Sequence, residues 1–319
     1  MNIITSEKQE YKEYKSCMLC PRNCGVDRTV RTGYCREKSE LHVARAALHM
    51  WEEPCISGTS GSGTVFFSGC NMGCVFCQNR KISRGETGRI ITTERLEEIF
   101  FELQDQGANN INLVTGDMFI PTIADAIERA KRDNIGIPFL FNTSSYLNVD
   151  SLKRLDGLID IYLPDFKYIR EEDAVRYSNA PGYPDAARAA IAEMVRQQPE
   201  CVLETEDESK CRSDAEPQHL MKKGVIVRHL LMPGMLIQAK LITKYLHETY
   251  GDSIYISLMN QFTPNGELAN YSEINRKVTD YEYKSLIDYA QTLGVTNGFI
   301  QEGETASESF IPAFDCEGV

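Results

Sequence analysis

The chain has 319 residues, 42% hydrophobic and 25% charged, which is enough apolar material for one large α/β domain with a small appendage or for two modest domains. A net charge of −12 and a pI near 5.0 exclude a nucleic-acid partner bound mainly through phosphates. No signal-peptide core and no bilayer-length apolar run is read, so the expectation is no membrane association and a reduced cytoplasm. Seven of the eleven cysteines fall in two tight groups, which suits metal ligation in such a compartment better than disulfides.

The first group opens the chain. Cys17, Cys20, Cys24 and Cys35 follow the spacing C-x2-C-x3-C-x10-C, four thiols fit for a closed metal site of zinc or iron–sulfur type. Gly25 and Gly33 supply tight turns, and a metal would stabilise a segment too short to fold around its own core. The alternative is four ordinary thiols. His42 and His49 are expected as satisfied or surface residues rather than as substitute ligands. Residues 1–60 thus read as an N-terminal Cys-rich metal-binding segment, and residues 61–319 as a second, larger unit.

From Thr64 the pattern becomes strand–helix alternation. Strands are predicted at 64–68, 110–114, 137–142, 159–163, 224–230 and 253–258. Helices are predicted at 93–106, with Thr93 as its cap, and at 123–132, 184–198, 237–250 and 280–293. Strands and helices in this order imply a parallel sheet, either a partial barrel or doubly wound. The acidic stretch 200–218 interrupts the pattern and reads as an exposed hairpin or loop, with Cys201 and Cys211 as free thiols.

The second cysteine group sits at the end of the first predicted strand, Thr64-Val65-Phe66-Phe67. Cys70, Cys74 and Cys77 have the spacing C-x3-C-x2-C, with Phe76 placed to shield what they hold. Three thiolates on one loop can each take an iron of a [4Fe–4S] cluster and leave the fourth iron open. The alternative is a zinc knuckle whose last ligand lies elsewhere. A cysteine loop directly after a strand favours the partial (β/α)6 TIM-like barrel, whose sites form at the C-terminal ends of strands.

This segment resembles the radical S-adenosylmethionine (SAM) superfamily. The resemblance implies that the open iron chelates SAM and that one electron cleaves it to a 5′-deoxyadenosyl radical. It also implies a reducing partner such as flavodoxin or ferredoxin. Further motifs resemble uncharacterised relatives of pyruvate formate-lyase activating enzyme: Cys17-Met18-Leu19-Cys20-Pro21-Arg22-Asn23-Cys24, the Asn142-Thr143-Ser144 tip, Asp165-Phe166-Lys167, and Arg228-His229-Leu230 leading to Met232-Pro233-Gly234.

From the likeness, the turn Thr115-Gly116-Asp117 takes the place of a Gly-Gly-Glu-Pro-like turn that receives the SAM amino group, with Gly116 as the candidate. Asn142 and Thr143 are candidate hydroxyl partners or, alternatively, turn residues. Asp165 and Lys167 alternate by two and face the same way; they are read as SAM contacts or an ordinary salt bridge. Arg228 in an apolar strand requires an anion, either the SAM carboxylate or a buried acid, whereas His229 reads as structural. The likeness departs at Leu258-Met259-Asn260-Gln261, where activating enzymes carry a histidine. The expected function is hydrogen abstraction from a substrate, including a glycine of a partner enzyme. Alternatives are modification of a peptide or small molecule, a non-enzymatic iron–sulfur protein that carries electrons or senses redox state, and a zinc-bearing interaction module.

Overall fold

Apolar, β-branched runs buried on both faces are what a helix-covered parallel sheet requires. The computed structural model, which describes residues 11–207, 211, 216–301 and 312–319, contains such a sheet. Its strands are β1 (Leu41–His49), β2 (Ser62–Phe67), β3 (Arg89–Ile91), β4 (Ile111–Val114), β5 (Phe139–Thr143), β6 (Ile161–Pro164), β7 (Val202–Thr205), β8 (His219–Leu230), β9 (Tyr255–Met259) and β10 (Gly298–Ile300). Every residue of β2, β4 and β6 is buried.

The sheet order is β10-β9-β8-β6-β5-β4-β2-β1-β3. From β2 to β10 neighbouring strands are parallel. The order ends at β3 on one side and β10 on the other, so the sheet curves without closing and forms the partial barrel. All six predicted strands are present in the predicted order.

Three features differ in detail. β1 pairs antiparallel with β2 and with β3, so the chain before residue 60 already contributes a strand to the barrel sheet. Leu41, Val43 and, past an irregularity between Val43 and Arg45, Ala46 pack into the main core. β7 pairs antiparallel with the first half of β8, which makes the acidic stretch a hairpin at its base; residues 208–210 and 212–215 lie outside the described residues. The helix Thr93–Asp105 is capped one residue earlier than predicted, by the Thr92 hydroxyl accepting from Arg95 N–H.

Helices Thr93–Asp105, Ile120–Arg132, Tyr183–Gln197, Leu236–Tyr250 and Asp280–Leu293 follow successive strands. Their apolar stripes, for example Leu96, Ile99, Phe100 and Leu103, join the main core with Phe139, Phe141 and Tyr162 from the sheet. Among the described residues no helix is long and apolar enough to cross a membrane.

Candidate active site

The loop after β2 owes its path to two glycines. Gly69 has φ +83°, and a Cβ there would lie 2.8 Å from the Cys35 carbonyl oxygen. At Gly73 a Cβ would come within 3.2 Å of the Tyr34 hydroxyl. The loop is thereby pressed against the N-terminal segment on one side. On the other side Gly73 N–H donates to Ser178 O at 2.9 Å and Val75 N–H to Tyr177 O at 2.9 Å.

Held this way, Cys70, Cys74 and Cys77 line a cavity of about 340 Å³ at the C-terminal ends of the parallel strands. Phe76, expected as an apolar shield, is buried and meets Phe262 at a 5.6 Å centroid distance. Burial pushes the Cys70 thiol well above its ordinary range and the Cys74 thiol up to about 11. Both therefore stay protonated at neutral pH until a metal displaces the proton. Among the described residues no three His, Cys, Asp or Glu side chains converge tightly enough for one metal ion. A four-iron cluster asks for a different geometry, since each thiolate binds its own iron.

Asp165, Lys167, Asn142, Thr143 and Arg228 line the same cavity. Asp165 and Lys167 do share a face, and Lys167 Nζ donates to Asp165 Oδ2 at 2.5 Å. Burial works against the Lys167 charge, but Asp165 and Cys74 outweigh it and raise its pKa. Thr143 Oγ1 donates to Asp117 Oδ1 at 2.5 Å and accepts from Ser145 N–H at 3.2 Å.

Arg228 has buried acids for partners. Its Nε donates to Glu53 Oε1 at 2.9 Å, and its Nη2 donates to Glu53 Oε2 at 2.6 Å and also to Glu52. Asn112 Nδ2 donates to the other Glu52 oxygen at 2.8 Å. Of the two anions expected for Arg228, the structure supplies the acid. Gly116 does not reach the cavity wall. Its carbonyl accepts from Phe119 N–H at 2.8 Å, and a Cβ there would lie 2.6 Å from Ile123 Cδ1, the movable end of that side chain. Thr115, with φ +58°, faces the cavity instead.

Ser178, Gln301, Glu52 and Glu53 were not singled out from sequence, whereas Gln261 ends the tip read there as the departure from the likeness. Ser178 Oγ donates to Cys74 Sγ at 3.0 Å and meets the Tyr168 hydroxyl at 2.7 Å. Where activating enzymes carry a histidine, Gln261 lines the cavity with Gln301, whose Nε2 donates to Gln261 Oε1 at 3.3 Å. Glu52 and Glu53 lie in the segment read as N-terminal and Cys-rich, with nothing local to mark them.

The four N-terminal cysteines, expected as one metal site, border the same cavity without converging tightly enough for one metal ion. Cys17, Cys20, Cys24 and Cys35 line a second, small cavity of about 20 Å³, together with Arg28, Asn71 and Asp117. Burial pushes the Cys20 thiol up to about 12 and also raises Cys35. Arg28 is fully buried beside them and, among the described residues, forms no ion pair with a carboxylate. Its three donor contacts go to the carbonyls of Glu37 (3.1 Å), Met118 (2.5 Å) and Lys38 (2.5 Å). His42 is held by Glu37 at 3.1 Å and His49 packs edge-on to Phe66; neither lines this cavity. Cys201 donates to Ser253 O at 3.4 Å, and both it and Cys211 are free thiols.

The sequence profile of the Radical SAM superfamily matches residues 64–204, from β2 into β7. The uncharacterized protein MJ0674 of Methanocaldococcus jannaschii is 28% identical over 288 residues, covering 87% of this chain and 75% of that one. Among solved structures, the FeFe-hydrogenase maturase HydG from Carboxydothermus hydrogenoformans superposes with a TM-score of 0.49 at 13% identity, covering 76% of this chain and 54% of HydG. Streptococcus suis SuiB bound to precursor peptide SuiA gives 0.46 at 13% identity, over 74% and 47%. A domain of pyruvate-formate lyase-activating enzyme from Bacteroides vulgatus gives 0.39 at 12% identity, over 57% and 91%. The matched region spans about half the length of the SuiB and HydG chains.

Proposed function

We propose, for a chain that belongs to the radical SAM superfamily, that it abstracts a hydrogen atom from a carbon of a polypeptide substrate, a glycine of a partner enzyme being the leading case. The observation that supports the radical chemistry is one cavity lined by Cys70, Cys74, Cys77 and the Asp165–Lys167 pair at the C-terminal ends of the strands, and the polypeptide donor rests on the resemblance of the motifs to relatives of pyruvate formate-lyase activating enzyme. When bound, the cluster and SAM supply the reductive cleavage that yields the 5′-deoxyadenosyl radical.

The chain's own residues bind, orient and exclude water. The three cysteines hold the cluster, and Phe76 with Phe262 keeps solvent from it. Lys167 offers an ammonium to the SAM carboxylate, and Asp165 offers a carboxylate to its amino or hydroxyl groups. Asn142, Thr115 and Gln261 present further polar groups on the same wall. Arg228, clamped by Glu52 and Glu53, closes the interior between β8 and the segment after β1 rather than taking the cofactor itself. A flavodoxin or ferredoxin in the cytoplasm would supply the electron.

The N-terminal cysteines hold a separate metal, zinc or iron–sulfur, in this reading. Arg28 supports it: a buried guanidinium without a carboxylate partner is costly, and metal-bound thiolates of Cys17 and Cys35 would provide the missing negative charge.

The polypeptide donor is tested by isotope transfer. Reduced, SAM-loaded protein is incubated with macromolecular and small-molecule fractions from cells grown on deuterated medium. Deuterium entering 5′-deoxyadenosine from the macromolecular fraction alone is expected; transfer from the small-molecule fraction alone would favour a metabolite substrate.

A further inference from the structure

Among the described residues, three carboxylates line the large cavity, Glu52, Glu53 and Asp165, against two cationic side chains, Lys167 and Arg228. Lys167 answers Asp165, and the fork of Arg228 is spent on Glu53. Glu52 receives one N–H of the same guanidinium and one from Asn112 Nδ2 at 2.8 Å. It is left holding a nearly buried negative charge for which the lining offers no cation of its own. Burial lowers the pKa of His49 in the same wall, Arg228 and Arg45 adding to the effect and Glu52 opposing it, so a neutral imidazole does not fill the gap near neutral pH. Behind Glu52, Asn112 is fully buried and its Oδ1 has no hydrogen-bond partner. A carboxylate short of a cation, next to an acceptor short of a donor, is costly until a cationic donor arrives.

The surroundings say what kind of cation fits. Trp51, the one tryptophan of the chain, and Ile300 line the cavity while 59% and 48% exposed, so they stand at its mouth. Phe66 and Phe299 extend the apolar lining inward. An indole face attracts a cation, and an apolar wall covers an aliphatic stem that carries one. This part of the cavity is set apart from the cysteine loop. β1 is antiparallel to β2, so His49, which leads into Trp51 and Glu52, pairs with Ser62 at the start of β2. Cys70, Cys74 and Cys77 instead follow the end of that strand, where Lys167 is close enough to Cys74 to feel its charge.

We propose that Glu52 and Trp51 form a substrate subsite for an aliphatic ammonium group, its charge held at the Glu52 carboxylate and the Trp51 face and its stem along Phe66, Phe299 and Ile300. On the polypeptide reading above, which this inference rests on and narrows, the group is a lysine side chain of the substrate. Glu52 is a binding residue here and takes no part in the hydrogen transfer. The sulfonium of SAM is the other cation available to Glu52, and the test separates the two.

Full-length protein, reconstituted anaerobically and loaded with SAM, is dialysed against labelled N-acetyl-lysine amide and against its uncharged counterpart N-acetyl-norleucine amide. The parent should bind the lysine probe at least about tenfold more tightly than the norleucine probe, and the lysine probe should change the emission of Trp51. In Glu52→Gln the two probes should bind within about twofold of each other. Trp51→Leu should weaken the lysine probe by about threefold or more. Iron content and the Kd for SAM, both unchanged, report that each variant has folded, and the ratio of the two probes is insensitive to partial loss of active protein. S-adenosylhomocysteine lacks the sulfonium charge. A preference for SAM over S-adenosylhomocysteine that falls in Glu52→Gln, with the probe ratio unchanged, would give the carboxylate to the cofactor and overturn the subsite. A parent that binds both probes equally would overturn it as well. Isotope transfer from the small-molecule fraction alone would sink the polypeptide reading, while a probe ratio set by Glu52 would still uphold an ammonium subsite, so the two failures are told apart.

Discussion

Arg228 and Glu53 stand 175 positions apart in the chain, yet they meet in a two-pronged ion pair, Nε to Oε1 at 2.9 Å and Nη2 to Oε2 at 2.6 Å. Glu52 adds a second carboxylate to the same guanidinium, and all three side chains are nearly buried. The group ties β8 to the segment that leaves β1, across the interior of an open barrel. Removing one member leaves buried charge behind, which is what makes such pairs expensive to break.

Arg228→Ala should therefore lower stability by about 3–5 kcal/mol, read as a shift in the urea midpoint. Arg228→Lys keeps the charge but loses the two-pronged geometry, and should keep SAM affinity within a few-fold of the parent by equilibrium dialysis. A large loss of SAM binding in a stably folded Arg228→Lys protein would move Arg228 from the barrel interior to the cofactor.

Lys167 makes the opposite prediction. Its ammonium lies beside Asp165 and the cluster cysteines, and a charge-assisted hydrogen bond contributes about 1.5–3 kcal/mol. Lys167→Met should raise the Kd for SAM about tenfold or more while leaving the iron content unchanged. An unchanged Kd would reduce the Asp165–Lys167 pair to an ordinary salt bridge.

Much of this arrangement is legible before any coordinates. The parallel strands announce themselves as short β-branched runs, and the cysteine spacings mark both clusters. Asp165 and Lys167 face one way because strand periodicity is two. What stays hidden is whatever depends on distant packing. Glu52 and Glu53 have no local signature, because their partner comes from β8. Arg28 looks like any surface arginine until burial is known. Gly116 fits the expected turn by position, but its carbonyl is used within the turn and its Cα is packed against Ile123. β1 is missed because its residues fall in a segment defined by cysteines, not by periodicity.

Ser178 belongs to the hidden set, and its hydroxyl donates to Cys74 Sγ. Hydrogen bonds to cluster sulfurs favour the more negative, reduced state. Ser178→Ala should lower the midpoint potential of the radical-site cluster, by on the order of tens of mV in an EPR-monitored titration. An unchanged potential would leave Ser178 with only a packing role beside Tyr168.

His229 sets an acid limit. Burial lowers its pKa from 6.5 to about 4, against the help of the Phe166 carbonyl, which lies 2.8 Å from Nδ1. Lys167 disfavours the imidazolium and Asp165 favours it. The unfolded chain binds the proton more readily, so this contribution is fully present above pH 6.5 and is lost as pH falls through the folded value near 4. The gap corresponds to about 3 kcal/mol. His229→Gln should flatten that part of the stability–pH curve between pH 6.5 and 4, measured by urea titration; an unchanged slope would show that His229 does not set it.

The central claim is that Cys70, Cys74 and Cys77 hold a cluster that cleaves SAM. The most direct measurement is 5′-deoxyadenosine, quantified by chromatography after anaerobic reconstitution, chemical reduction and incubation with SAM. Product from the parent protein is predicted, with none from the Cys70/Cys74/Cys77 triple-alanine variant and with Cys74→Ala retaining only the N-terminal metal. No product from parent protein whose cluster is intact, reduced and supplied with both polypeptide and small-molecule fractions would contradict it.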